Sequence, residues 1–253
     1  MYVEAKESYR YKQEEAIMYL ELKNVSFSYG DAPVLTNISC GICRGEITGL
    51  VGANGAGKTT TIYNIVKKVQ PQKGEITIDG ENIRSLTGNR FPVTYVPESP
   101  LYYEELTVIE HLHFVKALYP KSEASIEALV EKLNLREHLH KVPGMLSKGT
   151  LQKLMIAISL LRQYEILIAD EPFNGLDPKQ ISIFKGILNE IRQQNKAILI
   201  STHLLDMAEN ICDKYIFLHG GKVLAAGTKE ELIKKYGLPG NSSLETIYLS
   251  LIQ

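Results

Sequence analysis

From Tyr19 onward the chain switches between two hydrophobic periods. Tyr19 to Val25 and Val34 to Ile47 alternate apolar and polar residues about the turn Tyr29-Gly30-Asp31, which predicts two strands. The apolar run Ile47 to Val51 predicts a short buried strand, and Thr60 to Val69 a helix. Gly74 to Gly80 reads as a strand ending in an Asp-Gly turn, and Phe91 to Val96 as another closed by Pro97. Three helix-period segments follow with no strand between them: Val108 to Tyr119, Ser122 to Leu133 and Thr150 to Arg162. Strands then return at Ile166 to Ala169, Ala197 to Ile200 and Tyr215 to Leu218, with helices between. The tail from Thr228 predicts two short helices split by Gly237-Leu-Pro-Gly240. The pattern describes an α/β sheet interrupted by an all-helical insertion at about 98–163, with a helical tail at about 228–253.

Between the strand ending at Val51 and the helix after it lies Gly52-Ala53-Asn54-Gly55-Ala56-Gly57-Lys58-Thr59-Thr60. Strand, glycine loop and helix form the setting of a phosphate-binding P-loop. Gly52, Gly55 and Gly57 allow turns closed to residues with a Cβ, so successive N–H groups can point inward at an anion. The helix beginning near Lys58 adds free N–H groups and the positive end of its dipole. Lys58 is placed to reach the β and γ phosphates, and the Thr59 hydroxyl to complete a Mg²⁺ shell. The expected ligand is a nucleoside triphosphate with Mg²⁺.

Two further strand ends carry chemistry. Ile166-Leu-Ile-Ala ends in Asp170-Glu171-Pro172, which delivers Asp170 to the C-terminal edge of the sheet as a Mg²⁺ ligand. Glu171 follows as the base that orients and activates water near the γ-phosphate. The strand ending at Ser201-Thr202 presents His203, a group able to bond the γ-phosphate and the attacking water. Leu146-Ser147-Lys148-Gly149 precedes a helix and forms a second anion site at its N-terminus. One nucleotide does not need both sites. They make sense if Ser147 of one subunit completes the pocket built by Lys58 of another, as a head-to-tail dimer closed by ATP.

Composition narrows the classes. The 253 residues are enough to bury a full core, and 44% hydrophobic with 23% charged is ordinary for a globular chain. A net charge of −1 gives no electrostatic case for nucleic-acid binding, and Lys67-Lys68 and Lys234-Lys235 read as solvated helix faces. No apolar run approaches a membrane span, so action at a membrane requires a partner. Cys40 and Cys43 fall in a strand or its turn, with Cys212 far away, and the three are expected as reduced thiols. His111-x-His113 and His138-x-His140 read as surface residues. Residues 1–17 stand apart as a charged extension, and Met18 is a candidate start.

With these residues in hand, over 18–253 the chain resembles the ATP-binding-cassette (ABC) transporter ATPases. The resemblance runs through Tyr29, the P-loop, Pro97-Glu98, Leu146 to Gly149, Asp170-Glu171, Leu176-Asp177 and His203. It implies one P-loop nucleotide-binding domain with a mixed central sheet, an antiparallel β subdomain and a helical subdomain. It also implies roles: Tyr29 stacks on adenine, Ser147 and Gly149 bind the γ-phosphate across a dimer, and Asp177 couples the two sites. Two positions depart from the family. The loop glutamine that contacts Mg²⁺ and water is Glu98 here, which adds negative charge beside the metal. The usual Gly-Gly-Gln of the signature is Lys148-Gly149-Thr150. Both departures, with Glu105 to Leu112 and Ser243 to Tyr248, resemble ATPases of bacterial exporters whose membrane subunit is a separate chain. The resemblance implies ATP hydrolysis at the cytoplasmic face of a membrane, coupled to a polytopic partner. Alternatives are a soluble non-transport cassette, an importer cassette, and a binding module that hardly hydrolyses.

Overall fold

The computed structural model describes residues 18–252, so the expectations for 1–17 lie outside the described residues. Among the described residues, ten strands and eight α-helices are arranged as two sheets with helices around them. Strands β1 (Leu20–Tyr29), β2 (Ala32–Ile42), β4 (Lys73–Ile78) and β5 (Glu81–Asn82) form an antiparallel sheet in the order β2-β1-β4-β5. The second sheet has the order β10-β9-β3-β8-β7-β6. Its members are β3 (Ile47–Val51), β6 (Val93–Val96), β7 (Ile166–Asp170), β8 (Ala197–Thr202), β9 (Lys214–His219) and β10 (Lys222–Gly227). All neighbours in it are parallel except β9 and β10. This is the mixed sheet with an antiparallel companion that the resemblance implied.

The central strands β3, β7 and β8 are buried along their whole length, which is why they read as short continuous apolar runs. Helix α1 (Lys58–Ile65) runs out of β3, and its Ile62 and Ile65 pack into a core shared with β1, β2 and β4. Each such side chain, fully withdrawn from water, contributes about 1.5–3 kcal/mol. Between β6 and β7 lie α2 (Val108–Leu118), α3 (Ile126–Lys132) and α4 (Lys148–Leu160), the helical insertion. They share a second core with α5 (Pro178–Gln193), whose Phe184, Ile187, Leu188 and Ile191 recur on one face. After α6 (Leu205–Glu209) and the β9–β10 hairpin, α7 (Lys229–Tyr236) ends at Gly237, where φ is 63°. Helix α8 (Leu244–Leu251) closes the chain.

Several expectations change. The predicted helix to Val69 stops at Ile65, because the chain turns left-handed at Lys67 (φ 61°). Lys67 is therefore no solvated helix face: its ammonium donates to the carbonyls of Ile83 and Leu86 and lies 4.6 Å from the Phe91 ring. The strand predicted from Val34 to Ile47 is two strands, since Gly45 (φ 70°) turns the chain between them. Helix α3 starts at Ile126 rather than Ser122, where Ser125 caps it by accepting from the Ala128 N–H. The strand β10 was not anticipated. Its hairpin turns through Gly220-Gly221, and its slight alternation is too short to register as a strand.

His111 is a further correction. Expected at the surface, it is 2% exposed. Its Nε2 accepts from the Tyr103 N–H at 3.0 Å while Nδ1 faces the Thr107 carbonyl at 2.8 Å. A ring that accepts at Nε2 is placed to donate from Nδ1 to the carbonyl it faces. His111 thus pins the 99–107 loop to α2, whose start is fixed by a Thr107–Glu110 capping box.

Candidate functional site

Strand register brings the candidate residues together. Val51 pairs with Thr202, Asp170 with Ser201, and Val96 with Ala169. Four adjacent parallel strands end nearly in step, so the residues just beyond them collect along one edge, where ligands bind in such sheets. There they border a cleft of ≈ 350 Å³. Asn54, Gly55, Gly57, Lys58, Thr59 and Thr60 form one wall, and Glu98 and Glu171 face them. Two glycines are required by this geometry. Gly57 has φ 105° immediately before α1, and a Cβ on Gly52 would lie 2.3 Å from the Leu218 carbonyl oxygen.

Lys58 is 6% exposed, and its ammonium donates to the Gly52 carbonyl at 2.9 Å and the Ala53 carbonyl at 3.3 Å. It also lies 3.4 Å from Glu171 Oε1, which His203 Nδ1 approaches at 2.9 Å. One carboxylate oxygen is therefore shared between the P-loop lysine and the strand-end histidine. Glu171 itself sits at φ 45°, a strained value for a residue with a Cβ. Ser201 holds it there: the Glu171 N–H donates to Ser201 Oγ at 2.9 Å, and that hydroxyl donates to Asp170 Oδ1.

Asp170 is fully buried, and burial pushes its carboxyl above the ordinary Asp range, opposed by the hydroxyls of Ser201 and Thr59 and the charge of Lys58. Its Oδ2 is buried and has no hydrogen-bond partner. A buried carboxylate oxygen left open beside the Thr59 hydroxyl, with Glu98 across the cleft, is the hard oxygen donor set that suits Mg²⁺.

The remaining predicted residues stand elsewhere. Ser147 caps α4, accepting from the Thr150 N–H at 3.2 Å. A Cβ on Gly149 would lie 2.8 Å from the Gly175 carbonyl oxygen and 2.9 Å from Gln180 Oε1, so α4 begins directly against the loop after Glu171. Asp177 caps α5 through the Gln180 N–H at 2.8 Å. Neither Ser147, Gly149 nor Asp177 lines the Lys58 cleft. Ala56 supports the loop's first turn from a buried position, with its N–H bonded to the Ala53 carbonyl. Tyr29 ends β1 half-exposed, its ring edge-on to Phe27 at 4.8 Å, and Val34 rather than Tyr29 lines the cleft.

Sequence reasoning missed Ser201 as the link between the two acids, although it stands directly beside the Thr202-His203 strand end. It also missed Tyr248, whose hydroxyl lies 3.4 Å from the Ala53 N–H of the P-loop. No local signal ties residue 248 to residue 53.

Comparison with known proteins agrees with this geometry. The family model described as "ABC transporter" matches residues 35–174. The ABC-type transporter ATP-binding protein EcsA of Bacillus subtilis (strain 168) is 38% identical over 92% of this chain and 96% of its own length. The lipopolysaccharide export system ATP-binding protein LptB of Haemophilus influenzae is 33% identical over 85% of this chain and 92% of its own. A solved structure of an ATP-binding subunit of an ABC transporter superimposes with a TM-score of 0.86 at 37% identity, covering 93% of this chain and all of that one. With the P-loop and Glu171 lining one cleft and His203 bonded to Glu171 from the neighbouring strand end, the chain belongs to the ABC transporter family as an ATP-hydrolysing, ATP-binding subunit.

Proposed function

We propose that this subunit powers a membrane exporter through ATP-driven closure of two cassettes arranged head to tail. The observation that carries the hydrolytic half is the sharing of Glu171 Oε1 between Lys58 and His203. The Lys58 ammonium is bonded to the P-loop carbonyls of Gly52 and Ala53 and lies beside the base itself. A triphosphate entering the cleft competes for the Lys58 ammonium and frees Glu171 to accept a proton from water. Asp170 and Thr59 would hold Mg²⁺, with Glu98 at the rim; the ion supplies charge neutralisation on the phosphate oxygens. His203, already bonded to Glu171, keeps the base oriented and offers its second ring nitrogen to the γ-phosphate. Tyr29 is assigned to the adenine ring.

The separation of Ser147 and Gly149 from the Lys58 cleft supports the dimer. Within one chain the signature residues line no part of the Lys58 cleft, whereas a second copy would bring them across the phosphate. Asp177, capping α5 beside Gly149, is positioned to pass movement of one site to the other. Exporter coupling is supported by two observations. The relatives include proteins named for lipopolysaccharide export and for Nod factor export. Leu101, Tyr103, Phe114 and Leu118 also form an exposed apolar margin of the helical insertion, with Tyr103 edge-on to Phe114 at 5.6 Å. This margin suits a helix of a separate polytopic membrane subunit at the cytoplasmic face, and no helix among the described residues is long and apolar enough to cross a membrane itself.

The test is affinity purification of a tagged Glu171→Gln chain from detergent-solubilised native membranes with ATP present. Recovery of a polytopic membrane protein in near-equal amount is expected, and its fold separates exporter from importer. Recovery of soluble partners alone would replace the exporter reading with a non-transport cassette. The same variant is expected to bind ATP while turnover falls by roughly 10²–10⁴-fold; steady-state hydrolysis equal to the unaltered chain would remove Glu171 from its assigned role.

A further inference from the structure

The C-terminal helix α8 is fastened to the nucleotide machinery at two points one turn apart. At its start, the Leu244 N–H donates to Glu209 Oε2 at 2.8 Å. Glu209 is the last residue of α6, the helix that follows His203, and its other oxygen accepts from Lys229 at 2.6 Å. One turn on, Tyr248 stacks on Phe217 of β9 with ring centroids 5.7 Å apart, and its hydroxyl meets the Ala53 N–H at 3.4 Å. Between these points Leu244 and Ile247 are fully buried in a core that includes Val51, the residue before the P-loop. Tyr248 and His203 border the same cleft of ≈ 240 Å³ behind the loop.

We infer that α8 is a brace that holds the P-loop and the His203 helix in fixed relation, with Tyr248 as a positioning residue for ATP binding. The inference rests on ATP binding at the Lys58 cleft. Ala53 lies in an exposed stretch of glycine-rich loop, and the loop's N–H groups bind phosphate only when they point inward together. On the far side, the Ala56 carbonyl accepts from the Gly221 N–H of the β9–β10 hairpin at 3.1 Å. Tyr248 supplies the matching restraint at Ala53. A loop held from both sides loses less conformational freedom when nucleotide enters, so affinity rises without any new contact to the ligand. Because α6 and the P-loop are fastened to one rigid helix, the restraint also keeps His203 in register with Lys58.

The test compares Tyr248→Phe, Glu209→Ala, Glu209→Gln and the Tyr248→Phe/Glu209→Ala double variant of the full chain. Tyr248→Phe keeps the ring on Phe217 and removes only the hydroxyl, so its fold is preserved. The measurements are the Kd for ATP, the KM and kcat of hydrolysis, and deuterium exchange of the peptide spanning residues 52–54. For Tyr248→Phe, Kd and KM are expected to rise about three- to tenfold, the effect of one hydrogen bond, with a smaller change in kcat. Exchange at 52–54 is expected to speed up. Glu209→Ala is expected to act in the same direction, and Glu209→Gln, which retains an acceptor for the Leu244 N–H, to recover part of the loss. The double variant is expected to lose less than the product of the single losses, because one brace can be released only once. A Tyr248→Phe Kd equal to that of the unaltered chain, or a kcat loss with no change in KM, overturns the brace. Independent, multiplicative effects of the two sites overturn it as well. An unaltered chain that binds no ATP overturns the brace together with the functional reading, whereas a tight-binding chain indifferent to Tyr248→Phe overturns the brace alone.

Discussion

Ser201 shows how much a single hydroxyl can hold at this edge of the sheet. It is fully buried, accepts the N–H of a residue in a strained conformation, and donates to a buried carboxylate. Ser201→Ala removes the hydroxyl from both groups and leaves the Glu171 N–H only its longer bond to the Ser201 carbonyl at 3.2 Å; losing a buried hydrogen-bonding group of this kind costs roughly 1–3 kcal/mol. Thermal unfolding of that variant is expected to fall by roughly 2–10 °C for a chain of this size. An unchanged melting temperature would mean that water replaces the hydroxyl fully. The cysteines make a second prediction at this scale. Burial pushes the thiols of Cys40 and Cys212 up to about 12, so almost none of either is thiolate at pH 8. Iodoacetamide at pH 8 is expected to leave both unmodified in the folded chain and to label both in denaturant, as mass spectrometry of digested peptides would read out. The Cys-x-x-Cys spacing was legible in the sequence, but the place of Cys40 in the seam between β1, β2 and α1 was not.

Among the elements, the helix starts at Val108 and after Thr228 were readable, because Thr107 and Thr228 each cap the helix that follows them, whereas α3 and α4 begin at Ile126 and Lys148 rather than at Ser122 and Thr150. Helix ends and short strands were less so. Helix α1 ends early for a tertiary reason: Lys67 finds the carbonyls of Ile83 and Leu86, a partner segment far along the chain. The docking of α8 carries a pH dependence that can be worked out from Glu209. The Leu244 N–H and then the Lys229 ammonium hold its carboxyl below the ordinary Glu range. A carboxylate with a depressed folded pKa contributes stability above its unfolded pKa, near 4.3, and loses that contribution as pH falls through the folded value. The unaltered chain is therefore expected to melt above Glu209→Gln at neutral pH. The gap should close as the pH is lowered below about 4. A gap constant down to strong acid would show that the charge on Glu209 contributes nothing.

For the whole molecule, the arrangement of the two anion sites is the feature with the largest consequence. Lys58 and Ser147 belong to different clusters of one chain, joined through the loop from Glu171 to Asp177. If they meet only across a dimer, two inactive chains can repair each other. A Lys58→Ala chain mixed with a Ser147→Arg chain would form a dimer with one doubly defective site and one intact site. Hydrolysis well above that of either variant alone is expected in the mixture, measured as phosphate release with Mg²⁺ and ATP. Mixtures no more active than their components would place the signature residues outside the hydrolytic site.

The P-loop, the paired acids, the strand-end histidine and the α/β alternation could all be read from the sequence. Each is local: a run of residues on one strand, loop or helix start carries its own physical signature. Convergence was decided only by the folded chain. Parallel register between β3, β8, β7 and β6 sets Lys58, His203, Glu171 and Glu98 at one edge, and no local pattern encodes which strands are neighbours. The tertiary structure likewise decided that Glu171 lies between Lys58 and His203, that Ser201 supports both acids, and that a tyrosine near the C-terminus reaches the P-loop. Such contacts join different elements, from 30 residues apart at Glu171–Ser201 to 195 at Ala53–Tyr248, and the last forms where burial of Val51, Phe217, Leu244 and Ile247 in one core draws the segments together.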